Sequence, residues 1–343
     1  VAPGLAALLN LEGAAASNAV VFLRIVLVIT PLLACETVGV ACLRGAGDTR
    51  TGMWVMILVN AINVALSWSL VRGFGPLPKL GFPGIAIGTA CGEGTGGLVI
   101  LLLLARGRSG LSLGWPGMWP QKGPIHRIIR ISWPAAGERL TTVVCQLWFL
   151  GLINRLGPTA TAAHGVAIRC EALAFLPVAA FTVAAGTLTG QYLGARRADL
   201  AGRAARTAWG LGVFVLSLLA LVLYTQAGLM FSMFLGDRQP RVAAAGVPVL
   251  RIVAFAMPAF ATIDVLSGAL RGAGDTRWPW VIVVFGFLAV RLPLTYLFTF
   301  APDHGGMGWG LQGAWWAMFA DLNVRSALVL ARFLQGGWRL ARV

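Results

Sequence analysis

"LRGAGDTR" occupies residues 43–50 and recurs without change at residues 270–277, an offset of 227 residues. The agreement extends upstream at the same offset, because "LRIV" stands at 23–26 and again at 250–253, and a proline follows each tetrapeptide at the same distance. Internal symmetry of this kind indicates that a structural unit has been duplicated. The chain therefore contains at least part of two copies of one unit.

The composition indicates a membrane protein. Apolar residues make up 58% of the chain and charged residues only 11%, whereas about a quarter of the residues of a soluble domain are charged. Long stretches without any charge occur at Thr51–Val71, Ala172–Ala195 and Thr207–Gly236. Runs of about 20 apolar residues are long enough to cross the hydrocarbon core as helices. The sequence predicts an all-α polytopic membrane protein.

Apolar runs between basic or Gly/Pro-rich breaks predict nine membrane spans, and residues 1–10 resemble the end of a further one. The nine spans lie at 16–42, 51–72, 82–105, 128–154, 160–190, 206–235, 243–270, 278–301 and 309–334.

The connections between these spans alternate in charge. One set carries 16 basic residues and the other set six. Because cytoplasmic loops are enriched in Lys and Arg, the first set, both octets and the C-terminus are predicted to be cytoplasmic. Six spans separate the octets, so the chain returns to the same side. The repeats are therefore predicted to be parallel, related by an axis along the membrane normal.

The octet itself is predicted to be a structural turn. Glycine suits the open or left-handed backbone at the end of a helix, and Asp48 or Thr49 can cap the next helix. A phosphate-binding loop is excluded, because the octet lacks the GK[ST] signature and no strand precedes it. The predicted cytoplasmic turns comprise Arg44, Gly45, Gly47 and Asp48, with their counterparts Arg271, Gly272, Gly274 and Asp275.

Several function classes are not supported by the sequence. The net charge of +15 does not predict nucleic-acid binding, because the basic residues stand at span ends. The five cysteines include no CxxC pair and the three histidines are far apart, so neither a metal site nor a cofactor is expected. No clustered His/Asp or Ser/His constellation predicts an enzyme. No ATP-binding motif is present, so an ion gradient would have to drive any transport.

Twelve spans in two parallel halves, with an "LRGxGDT" turn after the fourth span of each, resemble the multidrug and toxic compound extrusion (MATE) family. Further similar stretches are "ISWPAAGERL" at 131–140, the segment 156–195 and "VRLPLTYLF" at 290–298. The resemblance implies a V-shaped, two-lobed transporter with two six-helix repeats. The second repeat is expected at 122–343. Residues 1–121 are expected to form a first lobe that lacks its first two to three spans, as in a fragment.

The resemblance also implies a function. MATE proteins are secondary antiporters that export drugs, organic cations and other amphipathic compounds in exchange for H⁺ or Na⁺, by rocking between outward and inward openings. We therefore expect small-molecule substrates, the lipid bilayer as partner, a monomer, and a location in the bacterial inner membrane. The alternative that the chain is a transport-inactive fragment stays open. So does a lipid-linked oligosaccharide flippase, which would use cationic residues within the spans, here Arg139, Arg169, Arg251, Arg291 and Arg325.

Carboxylates inside the predicted spans are the candidate ion-coupling residues, because an ionised acid there needs a partner, a proton or a function. Asp264 and Glu36 are the first candidates, and each follows a proline in matching spans. Glu138 is a further candidate, although it lies one turn inside its span and could reach the interface. Asp321 and Arg325 are four residues apart on one helix, which favours a structural ion pair.

The family resemblance adds a second candidate site. Many prokaryotic members carry an Asn-x-x-x-Asp pair in the fifth span; here Asn63 matches the asparagine, but Ser67 stands in place of the aspartate. A serine cannot titrate near neutral pH, so transport is predicted to depend on Asp264 or Glu36. A lone carboxylate favours H⁺ over Na⁺, which needs several oxygen ligands. The aromatic residues Trp315, Trp316 and Phe319 are candidates for the substrate cavity, and an interfacial role stays open for each.

Overall fold

The computed structural model of the protein describes residues 13–74, 78–114, 121–236, 239–300 and 305–340. The predicted helix end at residues 1–10 lies outside these ranges. The described residues contain helices and no strand. The helices are α1 (Gly13–Gly45), α2 (Thr49–Arg72), α3 (Phe82–Ala105), α4 (Lys122–Asn154), α5 (Pro158–Gly194), α6 (Ala198–Thr225), α7 (Ala227–Leu235), α8 (Pro240–Gly272), α9 (Arg277–Phe285), α10 (Leu292–Thr299) and α11 (Gly310–Gln335).

Six helical stretches in the described residues are long and apolar enough to cross a membrane. They are Ser17–Gly45, Thr49–Arg72, Phe82–Ala105, Ala198–Thr225, Pro240–Gly272 and Arg277–Thr299. A seventh is α5, if its two parts on either side of a 44° bend are one span. The predicted spans at 128–154 and 309–334 are also helical, within α4 and α11, but these helices are more polar. The chain is a multi-span helical membrane protein.

Two predicted spans differ from simple helices. The span predicted at 206–235 is divided, because the backbone leaves the helical conformation at Gln226, with α6 on one side and α7 on the other. The span predicted at 278–301 is α9 and α10, joined by a π-helical segment at Gly286–Arg291. Pro293 follows this segment closely and has no amide hydrogen to donate, which favours a local change in the hydrogen-bond pattern.

The duplicated segments adopt the same helix–turn conformation, as predicted. Helices α1 and α8 each have 33 residues, and both of their ends differ by the offset of 227. In each following turn, the glycine has a positive φ, 90° at Gly47 and 82° at Gly274. The aspartate amide then donates to a leucine carbonyl, at 2.9 Å in both Asp48 and Asp275. The repeated sequence has therefore produced the same backbone turn in both copies.

The chain divides into two compact units, Val1–Pro120 and Gln121–Val343. In the first unit, α3 packs against both α1 and α2. Many glycines of α3 are buried, which lets the neighbouring backbones approach closely. In the second unit, α8 packs against α5, α6 and α11 and is buried along most of its length. Assigning these units to the lobes of a transporter stays a prediction.

Candidate functional site

Glu36 lies in the interior of the first unit. Its side chain on α1 is only 2% exposed, and neither carboxylate oxygen receives a hydrogen bond from a described donor. The carboxyl group of Glu93, on α3, lies within hydrogen-bonding reach of it. A β-carbon at Gly96, one turn further along α3, would overlap the Glu36 carboxyl. The structure therefore places the predicted Glu36 beside a second acid that the sequence had not paired with it.

Asn63 and Ser67 share one face of α2, as predicted. The Ser67 hydroxyl donates to the Asn63 Oδ1 at 3.1 Å. Both side chains face glycines of α3. A β-carbon at Gly88 would overlap Ser67, and one at Gly92 would come close to Asn63, so only glycine fits at these two positions of α3. The pair thus lies in a tight helix contact, and its role in ion coupling stays a prediction.

Glu138 has a partner from the octet. Arg271 Nη1 donates to both carboxylate oxygens, at 2.9 and 3.1 Å, and so connects α8 to α4. Asp264 lies half-buried two turns earlier on α8. The charges of Arg271, Glu138 and Arg139 act on its carboxyl group. Two of the predicted coupling acids, Asp264 and Glu138, therefore belong to one charged cluster in the second unit.

The predicted cavity aromatics do not share one environment. Trp315 is fully buried, with its ring 5.3 Å from that of His164 and 6.4 Å from that of Phe149. This is a position in the core, so Trp315 does not line an open cavity in this conformation. Trp316 is 37% exposed and contacts Phe319 edge to face, with ring centroids 5.3 Å apart. Trp316 and Phe319 stay candidates for substrate contact.

A buried ion cluster surrounds Asp321. Arg325 donates to its Oδ2 at 2.7 Å, which is the predicted pair, and Arg291 contacts the same oxygen at 2.8 Å. Gly286 makes room for this cluster, because a β-carbon there would overlap the Asp321 and Arg325 side chains. Sequence reasoning missed the partnership of Arg291, which lies on the π-helical segment 30 residues before Asp321. The one sequence signal for a role of Arg291 was the position of an arginine within an apolar span.

The octet aspartates have different partners in the two copies. Asp48 accepts hydrogen bonds from the Thr51 amide and hydroxyl at 3.0 and 2.7 Å, so it caps α2 as predicted. Ser109 and Arg108 also donate to it, and these contacts, the Thr51 amide first, hold the pKa of Asp48 well below its usual range. Asp275 caps no helix and instead accepts from Arg332 at 2.7 and 3.0 Å.

A cavity of about 560 Å³ lies between α4 and α9 in the second unit. Its lining combines cationic and aromatic side chains with apolar ones: His126, Ile129, Arg130, Trp133, Pro134, Arg277, Trp280 and Val281. The sequence had not singled out any of these residues as a site. Over the part of the chain that the structure describes, no three His, Cys, Asp or Glu side chains are grouped as metal ligands.

Comparison with known proteins gives one consistent result. The sequence model of the MatE family matches residues 1–69 and 134–297. A "Probable multidrug resistance protein NorM" of Thermotoga maritima is 31% identical over 332 residues, which are 96% of this chain and 69% of that protein. The "Multidrug resistance protein NorM" of Burkholderia vietnamiensis is 33% identical over 303 residues, 85% of this chain and 63% of that protein. The chain thus spans about two thirds of the length of these relatives.

Solved structures show the same fold. A crystal structure of MATE in complex with MaL6 matches with a TM-score of 0.86 at 19% identity, covering 99% of this chain and 74% of that one. A transporter of the MOP superfamily from Pyrococcus furiosus matches with a TM-score of 0.87 at 19% identity, covering 99% of this chain and 73% of that one. The helical architecture is therefore that of known transporters.

Proposed function

Because the chain belongs to the MatE family, we propose that it functions as a secondary antiporter that exports small amphipathic compounds, including drugs and organic cations. The family match over both copies of the repeat is the observation that carries this proposal. The relatives described as multidrug resistance proteins support the substrate class. Export would proceed by alternating access, with the two units as rocking lobes.

The coupling ion would bind at acids within the spans. Asp264 is the first candidate, because it is half-buried beside the ion pair of Glu138 and Arg271. Protonation of one acid in such a cluster changes the charge that the others experience. Glu36 is the candidate of the first unit. We propose H⁺ as the coupling ion rather than Na⁺, since a proton needs only one carboxyl group, whereas a hard cation requires several oxygen ligands.

The remaining features of the proposal follow from the same reasoning. The protein would be a monomer of the bacterial inner membrane, with both octets and the C-terminus in the cytoplasm. It would need no cofactor and would catalyse no chemical reaction. Trp316, which is exposed, and Phe319, which is half-buried against it, would contact the substrate, because aromatic faces attract lipophilic cations.

The flippase alternative is less well supported. It relied on arginines within the spans that could meet a pyrophosphate. Two of them, Arg291 and Arg325, are held by Asp321, and the Arg251 guanidinium lies 5.6 Å from the ring of Tyr224. Arg139 and Arg169 are exposed. An anionic headgroup would have to compete with the existing contacts of Arg251, Arg291 and Arg325.

The test is transport by the complete gene product in proteoliposomes. Efflux of a fluorescent organic cation is measured with an imposed pH gradient, with a sodium gradient at constant pH, and without a gradient. We expect at least a tenfold faster efflux with the pH gradient. Efflux driven by sodium alone would contradict H⁺ as the coupling ion. Equal rates under all three conditions would contradict antiport.

A further inference from the structure

We propose that Glu36 and Glu93 form a carboxyl pair that holds one exchangeable proton, and that this pair is the proton-binding site of the first unit. The inference rests on one observation: Glu36 is buried beside a second carboxyl group, and no described donor gives its oxygens a hydrogen bond. That the proton exchanged here is coupled to substrate export rests on the proposed antiport function. The proton site itself does not.

The contact between the two acids is favourable only when a proton lies between them. Neither oxygen of Glu36 receives a hydrogen bond from a described donor, and the side chain is 98% withdrawn from solvent. The neighbouring Glu93 carboxyl lies within hydrogen-bonding reach. Two ionised carboxylates at this separation repel each other, whereas a protonated one donates an O–H···O bond to the other. One bound proton therefore removes one charge and satisfies one buried oxygen.

On the described helix that carries Glu36, the positive charges stand eight or more residues from it in sequence. Between Arg24 and Arg44, Glu36 is the only charged residue of α1. Helix α2 carries no charged residue between Arg50 and Arg72, and Glu93 is the only charged residue within α3. The other titratable groups on these stretches are thiols, which cannot supply a cation: Cys35, Cys42 and Cys91.

The surroundings favour a proton over a metal ion. The Glu36 carboxyl lies against the bare backbone of Gly96, where any β-carbon would overlap it, and the side chain of Val59 also borders Gly96. Such neighbours provide no ring of oxygen ligands for a sodium or calcium ion. A proton needs only the two carboxyl groups.

The difference in burial gives the proton a route. Glu93 is half-buried and Glu36 is fully buried. In this proposal a proton enters at an oxygen of Glu93, the more exposed of the two acids, and is then shared with Glu36. Release follows the same path in reverse, and no other bond is made or broken.

The experiment measures protonation directly, without a transport assay. The complete gene product is purified, and the C=O stretching band of protonated carboxylic acids is recorded by infrared difference spectroscopy over a pH titration. We expect a band of protonated carboxylic acid that Glu36→Gln reduces by one carboxyl group. Glu93→Gln removes the repelling charge and adds an amide donor, so the band should titrate about 1 pH unit or more lower. Thr95→Val, on the same helix as Glu93, should leave the titration unchanged.

Two results would overturn the proposal. One is a titration in which Glu36→Gln removes no protonated carboxyl group. The other is a Glu93→Gln variant that titrates like the wild type, since the two acids would then not interact. Glu93 is half-buried and its amide variant is nearly isosteric, so this second variant keeps the test valid if Glu36→Gln fails to fold. A normal titration combined with no gradient-driven efflux would instead contradict only the proposed function.

Discussion

Arg271, in the second copy of the octet, donates from one nitrogen to both carboxylate oxygens of Glu138. This contact joins a turn between two helices to the interior of a third helix, α4. Glu138, one of the predicted coupling acids, is therefore paired with Arg271, a residue that was expected only to flank a turn. The octet therefore has an electrostatic role in its second copy in addition to its backbone role.

Loss of this ion pair should destabilise the protein. Arg271→Met leaves the partly buried Glu138 carboxylate without its donor, and we expect the free energy of unfolding to fall by about 1–3 kcal/mol. Thermal unfolding in detergent measures the change. The matched control is Arg139→Met, because Arg139 is exposed next to Glu138 in sequence. Combining Glu138→Gln with Arg271→Met should recover part of the loss, and a double variant less stable than Arg271→Met would contradict the explanation.

The Asp321 cluster should tolerate the loss of one arginine better than the loss of the acid. Asp321→Asn leaves two buried guanidinium groups without a counter-charge, so about 3–5 kcal/mol of stability should be lost. Arg325→Gln keeps the contact between Arg291 and Asp321 and should cost less. Asp199→Asn breaks an exposed pair with Arg197 and should have little effect on stability. Equal melting temperatures for Asp321→Asn and Asp199→Asn would refute the role of burial.

The same glycine of the octet should respond differently to alanine in its two copies. A β-carbon at Gly272 would overlap the carbonyl oxygen of Gly186, where α8 and α5 cross, whereas one at Gly45 would meet no described atom within 4 Å. Gly272→Ala should therefore lower the melting temperature clearly, and Gly45→Ala should leave it almost unchanged. The pair of variants is its own control, because the octet sequence is identical.

The cap at Asp48 should make stability depend on pH in the acid range. The folded state lowers the pKa of Asp48, so its contribution is complete above the unfolded pKa of about 3.9 and is lost as the pH falls towards the folded value. Asp48→Ala should reduce the melting temperature at neutral pH, and its difference from the wild type should shrink upon acidification. Asp48→Asn, which keeps an N-cap acceptor, should be the milder variant. A difference that stays constant down to low pH would disprove this explanation.

Transport should depend on the buried acids and not on the serine of α2. Asp264→Asn and Glu36→Gln each remove a group that can bind a proton, so gradient-driven efflux should fall at least tenfold. Ser67→Ala removes only a neutral hydroxyl that bonds to Asn63, and efflux should stay within about twofold of the wild type. Normal efflux by both acid variants, together with loss in Ser67→Ala, would reverse the assignment.

Much of the fold was predictable because local sequence determines it. Apolar runs located the helices, and the shared offset predicted that the turns at Gly47 and Gly274 are alike. The break at Gln226 was not predicted, since the stretch without charged residues continues through it without a proline. The π-helical segment before Leu292 was hidden for a similar reason, because every residue from Val281 to Val290 is apolar or glycine.

The candidate site was predictable within helices but not between them. The spacing of Asn63 and Ser67, and that of Asp321 and Arg325, correctly placed each pair on one face. The contact of Glu36 with Glu93 depends on which faces of α1 and α3 meet, which a single sequence does not record. The burial of Trp315 has the same origin, since it depends on Phe149 and His164 from distant helices.

The π-helical segment changes the rotational phase of one duplicated helix. A turn with i to i+5 bonding contains about one residue more than an α-helical turn, which rotates the following residues by about 100° around the axis. Arg291 is buried there, whereas Val64, its counterpart 227 residues earlier on the regular helix α2, is 67% exposed. Two helices of common ancestry thus present different surfaces. The π-helical segment thus accompanies a buried charge in one copy at a position where the other copy exposes an apolar side chain.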